Sequence, residues 1–224
     1  MLGDPIPTSN HSTDPPVVRL NAGVHSTARI VGALFLAGFL SYGVGNLIAT
    51  GVVRSADRSG STALFVTGAA LMLLNSAFVI GIGVLMLPIL RTHSKAIAAG
   101  YLATRIFEGV GLAIGVVSLI VGSGSRAIDA NSTYYSVAEA GLGIGSLFFC
   151  ALLLRTGLVP RWLAVWGFIG YAFFAGGDLL ELSGVTDAGL VGAIPGGLFE
   201  LTFGIWLIAR GFSSTPTVRA NLRG

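Results

Sequence analysis

The chain has 224 residues with a mean hydropathy of +0.82, and only 10% of them are charged, whereas soluble domains average about 25%, which excludes an ordinary soluble protein. Its net charge of +3 comes from basic residues scattered along the chain, which excludes nucleic acid as a partner. The single cysteine, Cys150, excludes a disulfide or a cage of thiolate metal ligands within the chain.

The two ends of the chain are predicted to be tails. Residues 1–27 contain several of the eight prolines and many polar residues, and they lack the basic start and apolar core of a cleavable signal peptide. This composition is typical of a disordered segment. Residues 213–224 are predicted to be a short second tail, and residues 28–212 between them a single membrane domain.

This domain is predicted to be an all-α bundle of six transmembrane helices. Each apolar segment exceeds or approaches the ~20 residues that cross a ~30 Å hydrocarbon core, and backbone polar groups in lipid must be satisfied within a helix. Short connections make successive helices antiparallel. The predicted segments are 30–53, 62–90, 98–121, 135–154, 162–182 and 188–209.

The basic residues predict the orientation of the bundle, because cytoplasmic loops carry an excess of Lys and Arg. Three of them fall on one side, at Arg54, Arg58 and Arg126. The other side receives Arg19, Arg29, Arg91, Lys95, Arg155, Arg161, Arg210, Arg219 and Arg223. Both termini are therefore predicted to be cytoplasmic.

The third segment carries Arg105 and Glu108 near its middle, three residues apart and so on the same side of a helix, with Tyr101 on part of that side. An arginine at the bilayer centre costs at least ~2.5 kcal/mol, so these side chains should point into the bundle. Glu108 is the expected partner of Arg105 on its own helix, and Glu200 is a candidate across the bundle. The other intramembrane polar residues lie at mid-depth or toward the extracytoplasmic side, and they include Asn75, Glu139, Asp178 and Glu181.

These residues predict a polar pocket that opens outward and is closed on the cytoplasmic side by apolar packing. Five acids accompany one arginine, so the remaining acids must be wetted, protonated or bound to a cation. The predicted ligand-binding set is Arg105, Glu108, Glu200, Asp178, Glu181, Glu139, Asn75 and Tyr101. No catalytic residue, cofactor or metal site is assigned, although a divalent cation held by the carboxylates is one alternative. The structural alternatives are an ion pair that only fixes helix order, and a solvated helix end for Asp178 and Glu181.

Glycine and proline give a second pattern. Pairs of glycines four residues apart favour close helix contact, and they occur at Gly111 and Gly115, Gly141 and Gly145, and Gly192 and Gly196. Pro195 removes a backbone hydrogen bond from the sixth helix. It predicts either a broken helix beside the pocket or packing against small residues of a neighbour.

Four short motifs are distinctive: Ala28-Arg29-Ile30-Val31-Gly32, Arg105-Ile106-Phe107-Glu108, Leu158-Val159-Pro160-Arg161-Trp162-Leu163 and Phe199-Glu200-Leu201. With these motifs the chain resembles, over residues 28–212, the bacterial membrane-protein family called domain of unknown function 4386. The resemblance implies a multi-helix fold in a bacterial cytoplasmic membrane, with Arg105, Glu108 and Glu200 as a shared interior set. It implies no activity, and the long N-terminal tail departs from the family's usual short start.

Three functions remain open at this point. The first is binding or transport of a small polar or cationic ligand in the outward-opening pocket. The second is an intramembrane enzyme acting on a lipid or isoprenoid, with Glu108 or Glu200 as general acid. The third is a non-catalytic subunit of a larger membrane complex or a homo-oligomer. A deep apolar chamber with acids at one end favours the second, a narrow wet funnel the first, and a filled interior the third.

Overall fold

The structure, a computed structural model, describes residues 16–55 and 61–213. Within these residues the chain forms six α-helices and no strand. The helices are α1 (Pro16–Arg54), α2 (Thr62–Arg91), α3 (Lys95–Val121), α4 (Gly124–Thr156), α5 (Arg161–Leu182) and α6 (Ala188–Ala209). All six are long and apolar enough to cross a membrane, which confirms the all-α fold and makes this a multi-pass membrane protein.

The six helices form a closed ring. Each helix packs along the one that precedes it in the chain, and α6 packs back against α1. We call the end of the ring that holds the start of α1 and the end of α6 the terminal end. The opposite end, at Arg54, Val121 and Leu182, is the far end. An even number of antiparallel helices thus places the start of α1 and the end of α6 on the same side of the ring.

Local signals set several helix boundaries. α3 begins after Ser94, whose hydroxyl accepts a hydrogen bond from the backbone N–H of Ile97, as is typical of an N-cap. α4 ends before Gly157, which adopts the left-handed conformation with φ of 66° that glycine tolerates. Pro160 follows and cannot continue a helix from α4, so a tight turn leads into α5 at Arg161.

Two helix starts differ from the prediction. α4 begins at Gly124 instead of residue 135, because its first, polar turns pack against α3. Ala127 is buried beside Gly122, and Asn131 is buried beside Gly115. Hydropathy misses this extension, since it measures affinity for lipid and not contact with a neighbouring helix. α1 begins at Pro16, within the predicted tail 1–27, while residues 1–15 and 214–224 of the two tails lie outside the described residues.

Glycines line the contacts between neighbouring helices. A Cβ built on Gly111 would lie 2.9 Å from the Cβ of Ala138, and one on Gly192 would lie 2.9 Å from the Cα of Gly177. Phe107, Thr104 and Phe174 lie against Gly141, Gly145 and Gly196 respectively. These contacts confirm that the predicted glycine pairs allow close helix approach.

α6 runs unbroken through Pro195, so the broken-helix hypothesis is wrong. The carbonyl oxygen of Pro195 lies 3.0 Å from the position of a Cβ on Gly170 of α5. The proline is therefore accommodated by small residues of the neighbouring helix, which was the alternative that the sequence left open.

An apolar core fills the terminal half of the ring. Its fully buried side chains come from all six helices and from the turn between α4 and α5, where the Ser213 N–H donates to the Leu158 carbonyl. Members include Ala28, Val31, Met86, Leu90, Ala98, Leu153, Leu163 and Leu207. This packing leaves polar groups to the middle and the far half.

The excess of basic side chains at the terminal end predicts that this end is cytoplasmic, and cysteine labelling tests this prediction. Lys95 at the terminal end and Ser125 at the far end are both exposed, whereas the native Cys150 is buried. With cytoplasmic termini, we expect a membrane-impermeant maleimide to label Ser125→Cys in intact cells and Lys95→Cys only after permeabilisation. The wild type is the unlabelled control, and the reverse labelling pattern would invert the topology.

Candidate functional site

Arg105 lies at the centre of a hydrogen-bond network that joins three helices. Its Nε donates to the Tyr101 hydroxyl at 3.0 Å, and its Nη1 donates to Glu108 Oε2 at 2.9 Å. Its Nη2 donates to the Tyr171 hydroxyl of α5 at 3.2 Å and to Glu200 Oε1 of α6 at 3.1 Å. The structure thus confirms both ion pairs expected from the sequence, one within α3 and one across the ring.

Aromatic rings hold the guanidinium of Arg105 in place. Its Cζ lies 5.0 Å from the ring centre of Phe35 and 5.3 Å from that of Tyr101, which are cation–π distances. Only 1% of Arg105 is exposed, so its charge is met entirely within the protein. This arrangement favours a positioning role for Arg105: it neutralises and orients the acids around it.

Each of the two paired carboxylates keeps one oxygen without a hydrogen bond from the described residues. Glu108 uses Oε2 for Arg105, and Glu200 uses Oε1 for both Arg105 and the Tyr171 hydroxyl, which donates to it at 2.8 Å. Both acids border a cavity inside the ring. Their second oxygens are therefore the acceptors that a ligand in this cavity would meet.

This space, which we call the deep cavity, has a volume of about 470 Å³. Its polar end holds Glu108 and Glu200, with Glu139 from α4 and Asn75 from α2 farther along the wall. Glu139 is buried and forms no ion pair within the described part of the chain. The rest of the wall is mostly apolar and includes Leu34, Phe35, Phe39, Val79, Ile82, Phe174, Ile194 and Leu198. The deep cavity is thus an apolar chamber with carboxylates at one end.

The exposed rim of the deep cavity lies between α1 and α6. These helices touch in the terminal half, where Gly32 meets the backbone of Gly204 and the ring of Phe35 meets Phe203 edge-on at 5.6 Å. In the far half, the lining residues of both helices are exposed on the outside of the ring. These residues are Phe39, Gly43, Leu190, Ile194 and Leu198. The exposed part of the cavity lining therefore lies on the far half of α1 and α6, next to the place where the ring of Phe39 approaches Gly197.

A second, smaller space, which we call the outer cavity, lies at the far end and has a volume of about 260 Å³. Its polar wall contains Asn46, Asn131, Ser132, Ser136, Asp178, Glu181 and Asp187. The two cavities share Tyr42, Tyr135, Leu190 and Ala193, and the rings of the two tyrosines stack with centres 5.2 Å apart. The stacked tyrosine pair from α1 and α4 thus forms a common wall.

The residues singled out in the sequence consequently fall into three places. Arg105, Glu108, Glu200, Glu139 and Asn75 border the deep cavity. Asp178 and Glu181 border the outer cavity instead. Tyr101 does not line either of these cavities. Its hydroxyl accepts a hydrogen bond from Arg105 Nε and so helps to position the guanidinium.

Sequence reasoning left Tyr171 and Phe35 out of the predicted set, although both touch Arg105. Tyr171 lies seven residues before Asp178, on the same side of α5, and this spacing is the one signal that marks it as inward-facing. Phe35 has no such signal, because an aromatic residue in an apolar helix is equally at home against lipid.

Known proteins place this architecture in a family. No match was found among curated proteins or among solved structures. A family model described as "Domain of unknown function (DUF4386)" matches residues 30–211, which extend from the first helix to the end of the sixth and include every residue of the Arg105 network. The chain therefore belongs to the DUF4386 family of membrane proteins.

Proposed function

We propose that this protein binds a lipid-like ligand in the deep cavity, with a cationic or hydrogen-bond-donating head group at the carboxylates and an apolar part along the wall. One observation carries the proposal: the cavity is apolar over most of its wall, acidic at its inner end, and open to the lipid between α1 and α6. A volume of about 470 Å³ falls within the ~300–1,000 Å³ of ligand pockets.

Charge decides which head group fits. Three acids, Glu108, Glu139 and Glu200, border the deep cavity together with one arginine. The guanidinium of Arg105 already donates hydrogen bonds to side chains of the protein. The free oxygens of these acids accept hydrogen bonds and attract positive charge. Aromatic faces such as those of Phe35 and Phe174 also stabilise cations. An amine or ammonium head group matches this wall, whereas a carboxylate or phosphate is repelled.

We place the protein in a bacterial cytoplasmic membrane with both termini in the cytoplasm, as the basic residues predict. The opening between α1 and α6 then faces the outer leaflet, and the apolar core of the terminal half separates the cavity from the cytoplasm. This closure on one side supports binding rather than transport. Transport would require the packed terminal half to open as well. The apolar chamber with acids at one end also supports the second candidate, an intramembrane enzyme acting on a lipid or isoprenoid, whose substrate would have to bind in the same cavity.

Blocking the opening tests the proposal. Gly43 borders the cavity on α1, and a Cβ built there meets no atom within 4 Å, so the fold should accept Gly43→Phe, which adds a ring at the exposed edge of the cavity. Gly51 lies two turns along the same helix, is exposed and equally uncrowded, and borders neither cavity. Gly51→Phe is therefore a matched control.

The probe is a long-chain alkylamine carrying a photoreactive group in its chain, added to the purified protein in lipid nanodiscs. We expect it to crosslink to residues of the deep cavity, and Gly43→Phe to weaken its binding at least tenfold, a change of about 1.4 kcal/mol. Gly51→Phe should bind like the wild type, and a fatty acid of the same chain length should label the cavity poorly. Equal labelling by amine and acid, or unchanged labelling of Gly43→Phe, would refute the proposal.

A further inference from the structure

The outer cavity contains a buried acid that the Arg105 network does not use. Asp178 is 1% exposed, and neither of its carboxylate oxygens has a hydrogen-bond partner in the described part of the chain. Ser136 of α4 faces it without hydrogen-bond geometry. Burying a carboxylate without a hydrogen bond or an opposite charge destabilises the folded state. Asp178 borders a cavity that has room for such a partner.

The packing of α5 against α6 sets the direction of Asp178. The preceding residue, Gly177, packs against the backbone of α6, where a Cβ would lie 2.6 Å from the Ala188 carbonyl oxygen and 2.9 Å from the Cα of Gly192. This backbone contact fixes the rotation of α5 at the far end. The carboxylate of Asp178 is therefore directed into the outer cavity by the packing of α5 and α6.

A second carboxylate lies beside it. Glu181 Oε2 accepts a hydrogen bond of 2.7 Å from the backbone N–H of Gly189, in the first turn of α6. A Cβ built on Gly189 would lie 2.6 Å from this oxygen and 2.7 Å from Asp178 Oδ1. Oxygens of both carboxylates therefore lie close to Gly189 and close to each other. Two adjacent negative charges repel each other unless a cation or a proton separates them.

The remaining polar wall supplies oxygen atoms and no basic side chain. Asn46 and Asn131 form a long bond of 3.5 Å from Asn131 Nδ2 to Asn46 Oδ1, and Ser136 and Asp187 complete the polar rim. No Lys or Arg is among the residues that border the outer cavity. Carboxylate, amide and hydroxyl oxygens are the ligands that hard cations prefer.

We propose that the outer cavity binds a hard inorganic cation, Na⁺ or Ca²⁺, between the carboxylates of Asp178 and Glu181. The amide and hydroxyl oxygens of α1 and α4 and retained water molecules complete its coordination. A volume of about 260 Å³ accommodates several waters at ~30 Å³ each, so the ion stays partly hydrated. By joining α5 to α1 and α4, the ion would stabilise the far end of the ring. This site is distinct from the lipid-binding function proposed for the deep cavity.

The experiment measures the unfolding temperature of the full chain in detergent with chloride salts of Na⁺, K⁺, Mg²⁺, Ca²⁺ and tetramethylammonium at equal ionic strength. We expect Na⁺ or Ca²⁺ to raise it saturably by at least about 4 °C, and tetramethylammonium to have no effect, because ligand binding to the folded state stabilises that state. Asp178→Asn should abolish the response. Asp129→Asn is the matched control. Asp129 is an exposed residue of α4 that also lies toward the far end of the ring, and it does not border the outer cavity.

Three outcomes would overturn the cation site: the same rise with every salt, no rise with any of them, or a response that survives in Asp178→Asn. If Asp178→Asn does not fold, Glu181→Gln and direct measurement of ⁴⁵Ca²⁺ or ²²Na⁺ binding to the wild type decide the question. An infrared band of a neutral carboxylic acid that disappears in Asp178→Asn would show a proton in place of the metal ion. Alkylamine labelling of the deep cavity should be unchanged in these variants, which separates this test from that of the proposed function.

Discussion

Replacing Arg105 by methionine should lower the free energy of unfolding by about 3–5 kcal/mol, the cost of removing one partner from a buried ion pair. Methionine keeps much of the side-chain volume but donates no hydrogen bond, so Glu108 and Glu200 lose their ion-pair partner and Tyr101 and Tyr171 lose a donor. The loss is large because Arg105 is 1% exposed and water cannot take its place. Chemical unfolding of the purified protein in mixed micelles, followed by tryptophan fluorescence, measures the change.

The charge-free version of the network is the control for this prediction. Arg105→Met combined with Glu108→Gln and Glu200→Gln removes both the cation and its acids, and we expect it to recover most of the stability. Arg105→Lys should fall between the two, because an ammonium group cannot reproduce the planar fork that reaches three helices at once. A loss below about 1 kcal/mol in Arg105→Met, or no recovery in the triple variant, would show that the network contributes little.

The same network shows how far sequence reasoning reaches. The three-residue spacing of Arg105 and Glu108 and the cost of charge in lipid together predicted inward-facing side chains and the ion pair within α3. The pair with Glu200 was predicted as a candidate only, since spacing reports directions within one helix and not the rotation of one helix relative to another. For the same reason the hydroxyl of Tyr171, which joins both members of that pair, was absent from the predicted set.

Depth in the membrane is also easier to predict than position around the ring. The sequence predicts one pocket for Asp178, Glu181 and Glu200, because all three lie at mid-depth or beyond on the same side. In the structure the stacked rings of Tyr42 and Tyr135 stand between two cavities, and Asp178 and Glu181 border the outer one. Tyr135 begins the predicted fourth segment and resembles a residue of an interfacial belt, whereas Tyr42 lies in the middle of the predicted first segment, so no local pattern indicates that the two rings meet.

The lipid-facing opening depends on a difference between the two halves of α1 and α6. Gly32 and Gly204 allow the helices to touch in the terminal half, whereas the far half of α6 presents Leu190, Ile194 and Leu198 outside the contact. The backbones of α1 and α6 thus meet in the terminal half, whereas side chains such as that of Phe39, which approaches Gly197, line the cavity in the far half. Sequence hydropathy cannot distinguish an apolar side chain that lines such a gap from one that faces lipid.

Small residues on α5 and α6 are expected to contribute to stability as well, and Gly177→Val should destabilise the fold by about 1–3 kcal/mol. A Cβ at Gly177 would lie 2.6 Å from the Ala188 carbonyl oxygen and 2.9 Å from the Cα of Gly192. Both contacts are backbone atoms, so no side chain can rotate away and the two helices must separate. Helix pairs in membranes associate largely through such close packing.

The adjacent residue supplies an unusually strict control. Gly176 is exposed, and a Cβ built there meets nothing within 4 Å, so Gly176→Val adds the same side chain to the same helix without a clash. We expect it to stay within about 0.5 kcal/mol of the wild type in the same unfolding assay. Because Gly177 directs Asp178 into the outer cavity, Gly177→Val should also weaken the stabilisation by Na⁺ or Ca²⁺, and Gly176→Val should not. Equal destabilisation by the two substitutions would mean that the low helix propensity or the added bulk of valine, and not the α5–α6 contact, controls stability at this end of the ring.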